Sequence, residues 1–352
     1  MQHPLTLALR RILKKPIIHM GLEVVSVASH LNLIPKSSGK GVVFTLHRVE
    51  PQPSPLFNPS AHLSITPEFL EKTILALRAE NYTAISLGDV PQHLANEQSA
   101  GPIMAFTLDD GYRNNMEYAL PIFKKHNIPF TVFACSGFIN RTHTMWWETV
   151  EYLTNKVDHL KFDLGRGMRD MPARTLIEKY ALYENIGLDI MAGDQTEAIE
   201  RLDSLAMQNG IDPKHIVDDL MMSAHELKLF SQEPLVDIGA HTVSHCNLTQ
   251  ISNEELRNEL DQSRDDIEHI VGYRPRHFAY PYGKNDNASS REFMMAKQLG
   301  FDLSVTTEPD VLSENAGQDL HALHRISLNG YYQKPRYVKA LASGLAFKLK
   351  KL

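Results

Sequence analysis

The sequence predicts an α/β fold: a distorted or incomplete barrel of about seven strand–helix units, with a helical insertion over the barrel mouth. From residue 41 onward, short apolar strands alternate with amphipathic helices, as in parallel α/β sheets. Polar and acidic residues directly follow several of these strands, at the position where barrel enzymes keep their catalytic groups. The segment from about 145 to 232 departs from this alternation and is mainly helical in pattern.

The first half of the chain gives each element a local signal. Apolar residues at 42–46 predict the first strand. Thr66 is the expected N-cap of the next helix, with Pro67 at the first helical position. Three strands and one helix are then expected before the insertion: strands 84–87, 102–106 and 130–134, and helix 115–126.

After a hairpin-like stretch around 160–167 inside the insertion, the strand–helix alternation resumes. Ser252 and Glu255 form a capping box that opens a helix ending at Gly272. The remaining strands are expected at 235–238, 278–280, 303–306 and 324–328.

Composition excludes several classes of protein. The chain has 352 residues, 43% of them hydrophobic and 22% charged, which are ordinary values for a globular protein. A net charge of −6 gives no basis for a nucleic-acid partner. Two cysteines cannot make a disulfide framework. Cys246 follows His245 and a sulfur ligand is conceivable there, but a buried structural thiol is expected.

The two ends of the chain are basic and amphipathic. We assign residues 1–40 to an N-terminal segment, 41–335 to the main α/β domain and 336–352 to a C-terminal helix. The N-terminal segment lacks a clean apolar run and is too polar to span a bilayer. Its apolar residues suit one face of a helix: Ile17, Met20, Val24 and Val27. The ends either dock on the domain or hold the protein to an anionic membrane. The expected location is the cytoplasm, peripheral to the inner face of the membrane.

Two polar clusters follow predicted strands and point to a metal site. Asp109 and Asp110 end one strand, and Gly111 lets the backbone turn both carboxylates into one pocket. His241 and His245 follow another strand, four residues apart. One carboxylate and two imidazoles form a facial triad for a divalent metal. The second carboxylate is then free to act as a base, which predicts a hydrolytic site.

Three motifs resemble those of a known family. Thr107–Gly111, His241–His245 and Phe278–Gly283 resemble the first three motifs of the polysaccharide deacetylases, carbohydrate esterase family four, in its Tyr-Pro-Tyr-Gly branch. The resemblance covers roughly residues 40–330. It implies that Asp110 binds the metal with His241 and His245, and that Asp109 is the general base. One divalent ion is implied; zinc is expected, with nickel, cobalt, iron or manganese as alternatives.

The third motif also implies a wall of the substrate groove. Tyr280 belongs to this wall, and the backbone N–H of Tyr282 would help to hold the oxyanion. Ala279 stands where the family often has an arginine that positions the base. Arg325 or Arg48 could supply that arginine.

The resemblance leaves the general acid open between two histidines. His324 matches the family's late strand loosely, and His47 resembles the early histidine of the poly-N-acetylglucosamine deacetylases. His47 is preferred. Trp147, with its neighbours Trp146 and Glu148, is either a platform for sugar stacking or an anchor for the insertion.

These features predict a metal-dependent N-deacetylase that removes acetyl groups from a bacterial glycan or glycan precursor. The partner would be an N-acetylated oligosaccharide or a lipid-linked saccharide. A deformylase or non-sugar amidase with the same site is one alternative. A catalytically inactive glycan-binding protein is another, although such a protein would not need Asp109.

Overall fold

The strands and helices are defined here from a computed structural model, which describes residues 4–30, 39–51, 57–96, 101–313 and 315–350. Within these residues the strands are β1 (Gly41–Leu46), β2 (Arg48–Val49), β3 (Ser64–Ile65), β4 (Thr83–Ala84), β5 (Ile103–Asp110), β6 (Phe130–Ala134), β7 (His159–Phe162), β8 (Arg169–Pro172), β9 (Val236–Ala240), β10 (His277–Ala279), β11 (Leu303–Val305) and β12 (Ile326–Ser327). The helices are α1 (Pro4–His30), α2 (Pro67–Ala79), α3 (Val90–Ala95), α4 (Leu120–Lys125), α5 (Ser136–Ile139), α6 (Trp146–Lys156), α7 (Leu176–Ala192), α8 (Gln195–Gln208), α9 (Pro213–Leu220), α10 (Ala224–Phe230), α11 (Asn253–Val271), α12 (Ser290–Gln298), α13 (Pro335–Ala342) and α14 (Leu345–Lys350).

Seven strands form one curled parallel sheet in the order β11-β10-β9-β6-β5-β1-β12, and β4 pairs with the start of β5. An isolated parallel bridge between Val305 and Leu323 brings the two ends of this order together. The predicted distorted (β/α)7 barrel is therefore confirmed. Because the strands are parallel, their carboxyl ends meet at one edge, where a site can form.

The barrel core consists of aliphatic and aromatic side chains from the strands and the helices outside them. β1, β5 and β6 are buried along their whole length, as expected for strands covered on both faces. Phe106 stacks on Phe44 at a ring-centre distance of 5.3 Å, and Phe123 of α4 packs against Phe130 at 4.4 Å. These contacts hold β5, which carries the paired carboxylates, at the centre of the sheet.

The capping signals in the sequence define the helix ends correctly. The Thr66 hydroxyl accepts a hydrogen bond from the N–H of Phe69 with Pro67 at the helix start. Ser252 and Glu255 form the predicted capping box of α11, which ends at Gly272 with a φ of 86°. The strand expected at 84–87 is wrong beyond Ala84. Ser86 caps a 3₁₀ turn by accepting from the N–H of Asp89, a local bond that competes with strand pairing.

The insertion lies between β6 and β9, and its apolar core continues into the barrel through Phe57, Tyr112 and Phe138. It contains α6 to α10 and the antiparallel hairpin β7–β8, whose register pairs Leu160 with Met171. Trp146, Trp147, Ile186 and Leu202 are buried in one cluster. The insertion is therefore a packed layer rather than a loose loop.

Both ends of the described chain are helical. α1 packs against α7 of the insertion and α13. The single C-terminal helix expected over 336–352 is divided into α13 and α14, because Gly344 has a φ of 75°; residues 351–352 lie outside the described part. In the described residues, each helix is too short or too polar to cross a membrane.

Candidate active site

The paired carboxylates lie at the carboxyl end of β5. Asp109 and Asp110 are 2% and 1% exposed. Successive strand residues point to opposite faces, but Asp110 has a φ of 74° and Gly111 a φ of 89°. The chain therefore leaves the strand conformation at Asp110 itself, so both carboxylates line one pocket.

Asp110, His241 and His245 bring three metal-ligand atoms together. Nε2 of each histidine lies 3.4 Å from Oδ1 of Asp110, and the three atoms lie within 4.8 Å of one another. This Oδ1 is buried and has no hydrogen-bond partner among the described residues. Two ligand atoms, each about 2.1 Å from one tetrahedral ion, would be about 3.4 Å apart. The donor atoms and their spacing therefore fit a divalent metal.

A backbone carbonyl orients the imidazole of His241, and a hydrogen bond to Thr242 fixes the turn that carries His245. Nδ1 of His241 lies 2.7 Å from the carbonyl oxygen of Ala279. An N–H donated to that carbonyl leaves Nε2 unprotonated and available as a ligand. The backbone N–H of His245 donates to Oγ1 of Thr242 at 3.0 Å, which closes the turn between the two histidines.

Glu259 of α11 fixes the same turn, and the sequence analysis did not identify it. Its carboxylate accepts from the N–H groups of Val243 and Ser244 at 2.9 and 3.0 Å and from the Ser244 hydroxyl at 2.7 Å. The only sequence signal is its place one turn after Glu255 of the capping box. Cys246 is not part of the triad; burial raises the pKa of its thiol to about 12.

Arg325 holds Asp109 through two parallel hydrogen bonds. Its Nη1 and Nη2 atoms donate to Oδ1 and Oδ2 of Asp109, each at 2.7 Å. The guanidinium is itself fixed by the carbonyl oxygen of Thr306 at 2.8 Å and by Oγ1 of Thr107 at 2.9 Å. Thr45 donates to Asp109 at 3.2 Å. Of the two candidate arginines, Arg325 is thus the one that holds Asp109.

The surroundings keep both carboxylates ionised. Burial alone would raise the pKa of Asp109, but Arg325 and His241 outweigh it and lower that pKa. Burial is likewise outweighed at Asp110, where His241 and His245 hold the pKa well below its ordinary value. A carboxylate that is ionised at neutral pH is the form required of a base or a metal ligand.

His47 lies with this cluster. It follows β1, it is half-buried, and Asn115 donates to its backbone carbonyl at 2.6 Å. Burial lowers the pKa of its ring, while Asp110 and Asp109 act in the opposite direction. Within the described residues its ring makes no hydrogen bond, so both ring nitrogens remain available to a substrate.

His324, the other candidate acid, lies outside the cluster. It is exposed, whereas Arg325 next to it is fully buried. Neighbouring residues in an extended segment point to opposite faces. The strand that directs Arg325 into the barrel therefore directs His324 to solvent.

The two tyrosines of the third motif have different environments. Tyr280 is fully buried, packs on Phe278 and donates to the carbonyl of His321 at 3.0 Å, which makes it a core residue rather than a groove wall. The ring of Tyr282 lies 4.9 Å from that of His245. Tyr282 has a φ of 58°, and within the described residues its backbone N–H makes no hydrogen bond. That N–H is available to an oxyanion.

Trp147 packs behind the metal site. It is 6% exposed, its ring lies 4.8 Å from that of His245, and its Nε1 donates to the Tyr112 hydroxyl at 3.2 Å. In this conformation it offers no exposed face to a sugar, and it anchors α6 to the barrel. Arg48 joins this anchor by pairing with Glu148 at 3.1 Å and does not contact Asp109.

Backbone strain is concentrated in the three motifs. Among the described residues, seven besides glycine have a positive φ, and four of them are Asp110, Thr242, His245 and Tyr282. Such conformations are costly and persist where the surrounding structure enforces them, often at functional sites. Here they turn a carboxylate, an imidazole and a backbone N–H into one pocket.

The family model for polysaccharide deacetylases matches residues 96–164 and 198–304, together half of the chain. The chain therefore belongs to the polysaccharide deacetylase family. The matched ranges contain both aspartates and both triad histidines. His47 and Arg325 lie outside them.

The curated relatives match short stretches. YxkH of Bacillus subtilis is 24% identical over 94 residues, 27% of this chain and 32% of that protein. A peptidoglycan-N-acetylglucosamine deacetylase of Bacillus cereus is 36% identical over 47 residues, 13% of this chain and 17% of that protein. The chain thus spans about a third or less of the length of these relatives.

Solved structures share the fold over a longer range. The Streptococcus pyogenes deacetylase PplD, solved with acetate, covers 87% of this chain and 99% of its own at 17% identity and a TM-score of 0.55. IcaB of Ammonifex degensii covers 86% of this chain and 98% of its own at 16% identity and a TM-score of 0.52. At these identities the likeness concerns the fold alone.

Proposed function

We propose that the protein is a metal-dependent N-deacetylase that acts on an N-acetylated sugar of a bacterial glycan or glycan precursor. The observation that carries this proposal is the pair of neighbouring carboxylates in different surroundings. Asp110 faces two imidazoles, whereas Asp109 is held apart by Arg325. Family membership supports a deacetylase, and the B. cereus relative acts on peptidoglycan N-acetylglucosamine by its name.

Asp110, His241 and His245 would hold the ion. When bound, a divalent ion polarises a carbonyl group and lowers the pKa of water toward neutrality. Asp109 accepts the proton of the attacking water while Arg325 fixes the carboxylate. The N–H of Tyr282 donates to the oxygen of the acetyl group as negative charge develops there. His47, in its imidazolium form beside the two carboxylates, gives a proton to the amide nitrogen as the C–N bond breaks, and the products are acetate and a free amine.

The test is acetate release from a panel of N-acetylated oligosaccharides by zinc-loaded protein. We expect release by the wild type and a loss of at least about a hundredfold in Asp109→Asn and His47→Ala, the usual size of a general acid–base effect. His324→Ala is the matched control and should keep nearly full activity, because this side chain lies in solvent.

Formylated sugars and acetylated amines without a sugar belong in the same panel. Turnover confined to them would replace the proposal with a deformylase or an amidase. A protein that binds the oligosaccharides with stoichiometric zinc but releases nothing would be a glycan-binding protein.

A further inference from the structure

We propose that the outward face of α1 binds the surface of an anionic lipid bilayer, with the helix lying in the plane of the membrane. Five large aliphatic residues on this face are between 55% and 64% exposed: Leu13, Ile17, Met20, Val24 and Val27. Their spacing of four and three residues forms one continuous stripe, about 21 Å long at 1.5 Å per residue. An exposed apolar stripe of this kind marks an interaction surface.

The other side of α1 already packs against the rest of the protein, so the exposed stripe is not the side of the helix that packs on the core. Leu22 and Ser26 are buried. Glu23 accepts hydrogen bonds from Lys334 at 2.8 Å, from Arg336 at 2.5 Å and from the Tyr337 hydroxyl. These groups lower the pKa of Glu23 to about 2, so the carboxylate stays ionised and its ion pairs hold the helix orientation.

Charge favours a lipid surface as the occupant. Glu23 is the one acidic residue in the sequence of α1, and it is bound to α13 and the residue before it. Lys14 is exposed beside the stripe, and Arg10 and Arg11 precede it in the helix sequence. An apolar face flanked by basic residues is the pattern of an interfacial helix that binds anionic lipids.

A second copy of the chain fits this face less well. A two-helix seam needs charged or polar residues beside the apolar stripe to set partner and register. Beside this stripe Pro16 and Gly21 are exposed and offer no side-chain pairing. The exposed Lys14 finds no free acidic partner on a second α1, because Glu23 is already bound to Lys334 and Arg336. The stripe is also short for a two-helix interface, because it spans only about two heptads.

The position of α1 connects this surface to the candidate active site, and this step rests on the proposed function. Lys15 lies 3.7 Å from the ring centre of Tyr331, which packs against His62. Ser60 lies in the same loop as His62, and its carbonyl oxygen accepts a hydrogen bond from Arg48 at 3.3 Å. Arg48 is next to His47 in the sequence. When α1 lies on the membrane, the loop that contains Ser60 and His62 is therefore also close to the membrane. Because this loop lies beside the candidate active site, the arrangement suits a saccharide carried on a lipid.

The test is co-sedimentation of the full chain with vesicles of phosphatidylcholine alone and of phosphatidylcholine with phosphatidylglycerol. We expect binding to the anionic vesicles, reduced about tenfold or more in the double variant Ile17→Glu and Val24→Glu. The matched control is Met207→Glu with Met294→Glu, two helix residues that are each 57% exposed. Circular dichroism and gel filtration check that all proteins are folded.

Equal sedimentation of both double variants would overturn the proposal. So would a wild-type dimer in solution that the α1 variant converts to a monomer, because the occupant would then be a second copy. A lipid-anchored N,N′-diacetylchitobiose in the vesicles, compared with the free disaccharide, tests the substrate step. Vesicle binding with no acetate release from these two sugars or from the oligosaccharide panel would keep the docking surface and reject the proposed function.

Discussion

At the scale of single residues, the two neighbouring aspartates differ because different side chains surround them. Arg325 makes two hydrogen bonds to Asp109, whereas Oδ1 of Asp110 faces His241 and His245 without a hydrogen bond. A carboxylate whose two oxygens are both held by a guanidinium keeps its orientation. Asp110 keeps an oxygen free for a metal.

Arg325→Lys tests whether Arg325 positions the base. Lysine keeps the charge but cannot make the paired hydrogen bonds, so we expect kcat to fall about 10- to 100-fold with little change in KM. The control is Arg264→Lys, another buried arginine that donates to the carbonyls of Pro275, Leu299 and Gly300. An equal loss of kcat in both variants would mean that the loss reflects general damage to the fold.

The sequence predicted the triad and gave two candidates, Arg325 and Arg48, for the partner of Asp109. Asp110, His241 and His245 each follow an apolar strand, and parallel strands bring such residues to one edge. Arg48 remained an alternative to Arg325, because both lie next to a strand that ends near this edge. The choice depends on which way each side chain points, and that is fixed by the Glu148 carboxylate, which pairs with Arg48. Glu148 lies 100 residues from Arg48 in the chain.

At the scale of elements, α6 is joined to the barrel by buried carboxylates. Glu148 pairs with Arg48, and Glu151 accepts from the N–H of Ser60 at 3.3 Å. Burial and the neighbouring Glu148 raise the pKa of Glu151 from 4.5 to about 7. The folded protein therefore binds a proton at Glu151 that the unfolded chain releases above pH 4.5.

This shift makes stability fall as the pH rises from about 4.5 to about 7, because the unfolded chain is then the form with fewer protons. Glu151→Gln removes that titration. As the pH rises from 5 to 8, we expect the free energy of unfolding of Glu151→Gln minus that of the wild type to increase by about 1 to 3 kcal/mol. Urea unfolding at each pH measures this difference. Glu197→Gln, at an exposed carboxylate, is the control; a parallel pH profile for the wild type and Glu151→Gln would contradict the expected protonation.

Elements with a local signal were predicted well, and elements defined by distant contacts were not. Thr66 and Ser252 cap their helices with bonds to residues three positions away, so their role is visible in a short stretch of sequence. The N-terminal helix was also expected, but its stripe from Ile17 to Val27 faces solvent. That orientation is set by ion pairs between Glu23 and a segment more than 300 residues away.

At the scale of the whole molecule, the metal site joins separate parts of the sheet. Asp110 ends β5, the two histidines follow β9, and β6 lies between these strands. His241 is linked to β6 through its N–H, which donates to the carbonyl of Ala134 at 3.1 Å. The three candidate ligands come together only when the three strands are assembled, so metal binding at this site would be coupled to folding.

Metal removal should therefore lower the thermal stability of the protein. A ligand at a hundred times its Kd stabilises the native state by about 2.7 kcal/mol, which for a chain of this size corresponds to a Tm increase of several degrees. We expect added zinc to raise the Tm and a chelator to reverse the increase. The double variant His241→Ala and His245→Ala should not respond, while His215→Ala, at an exposed histidine, should respond like the wild type. An equal response in the triad variant would mean that zinc binds elsewhere, and Asp110 would then need a different role.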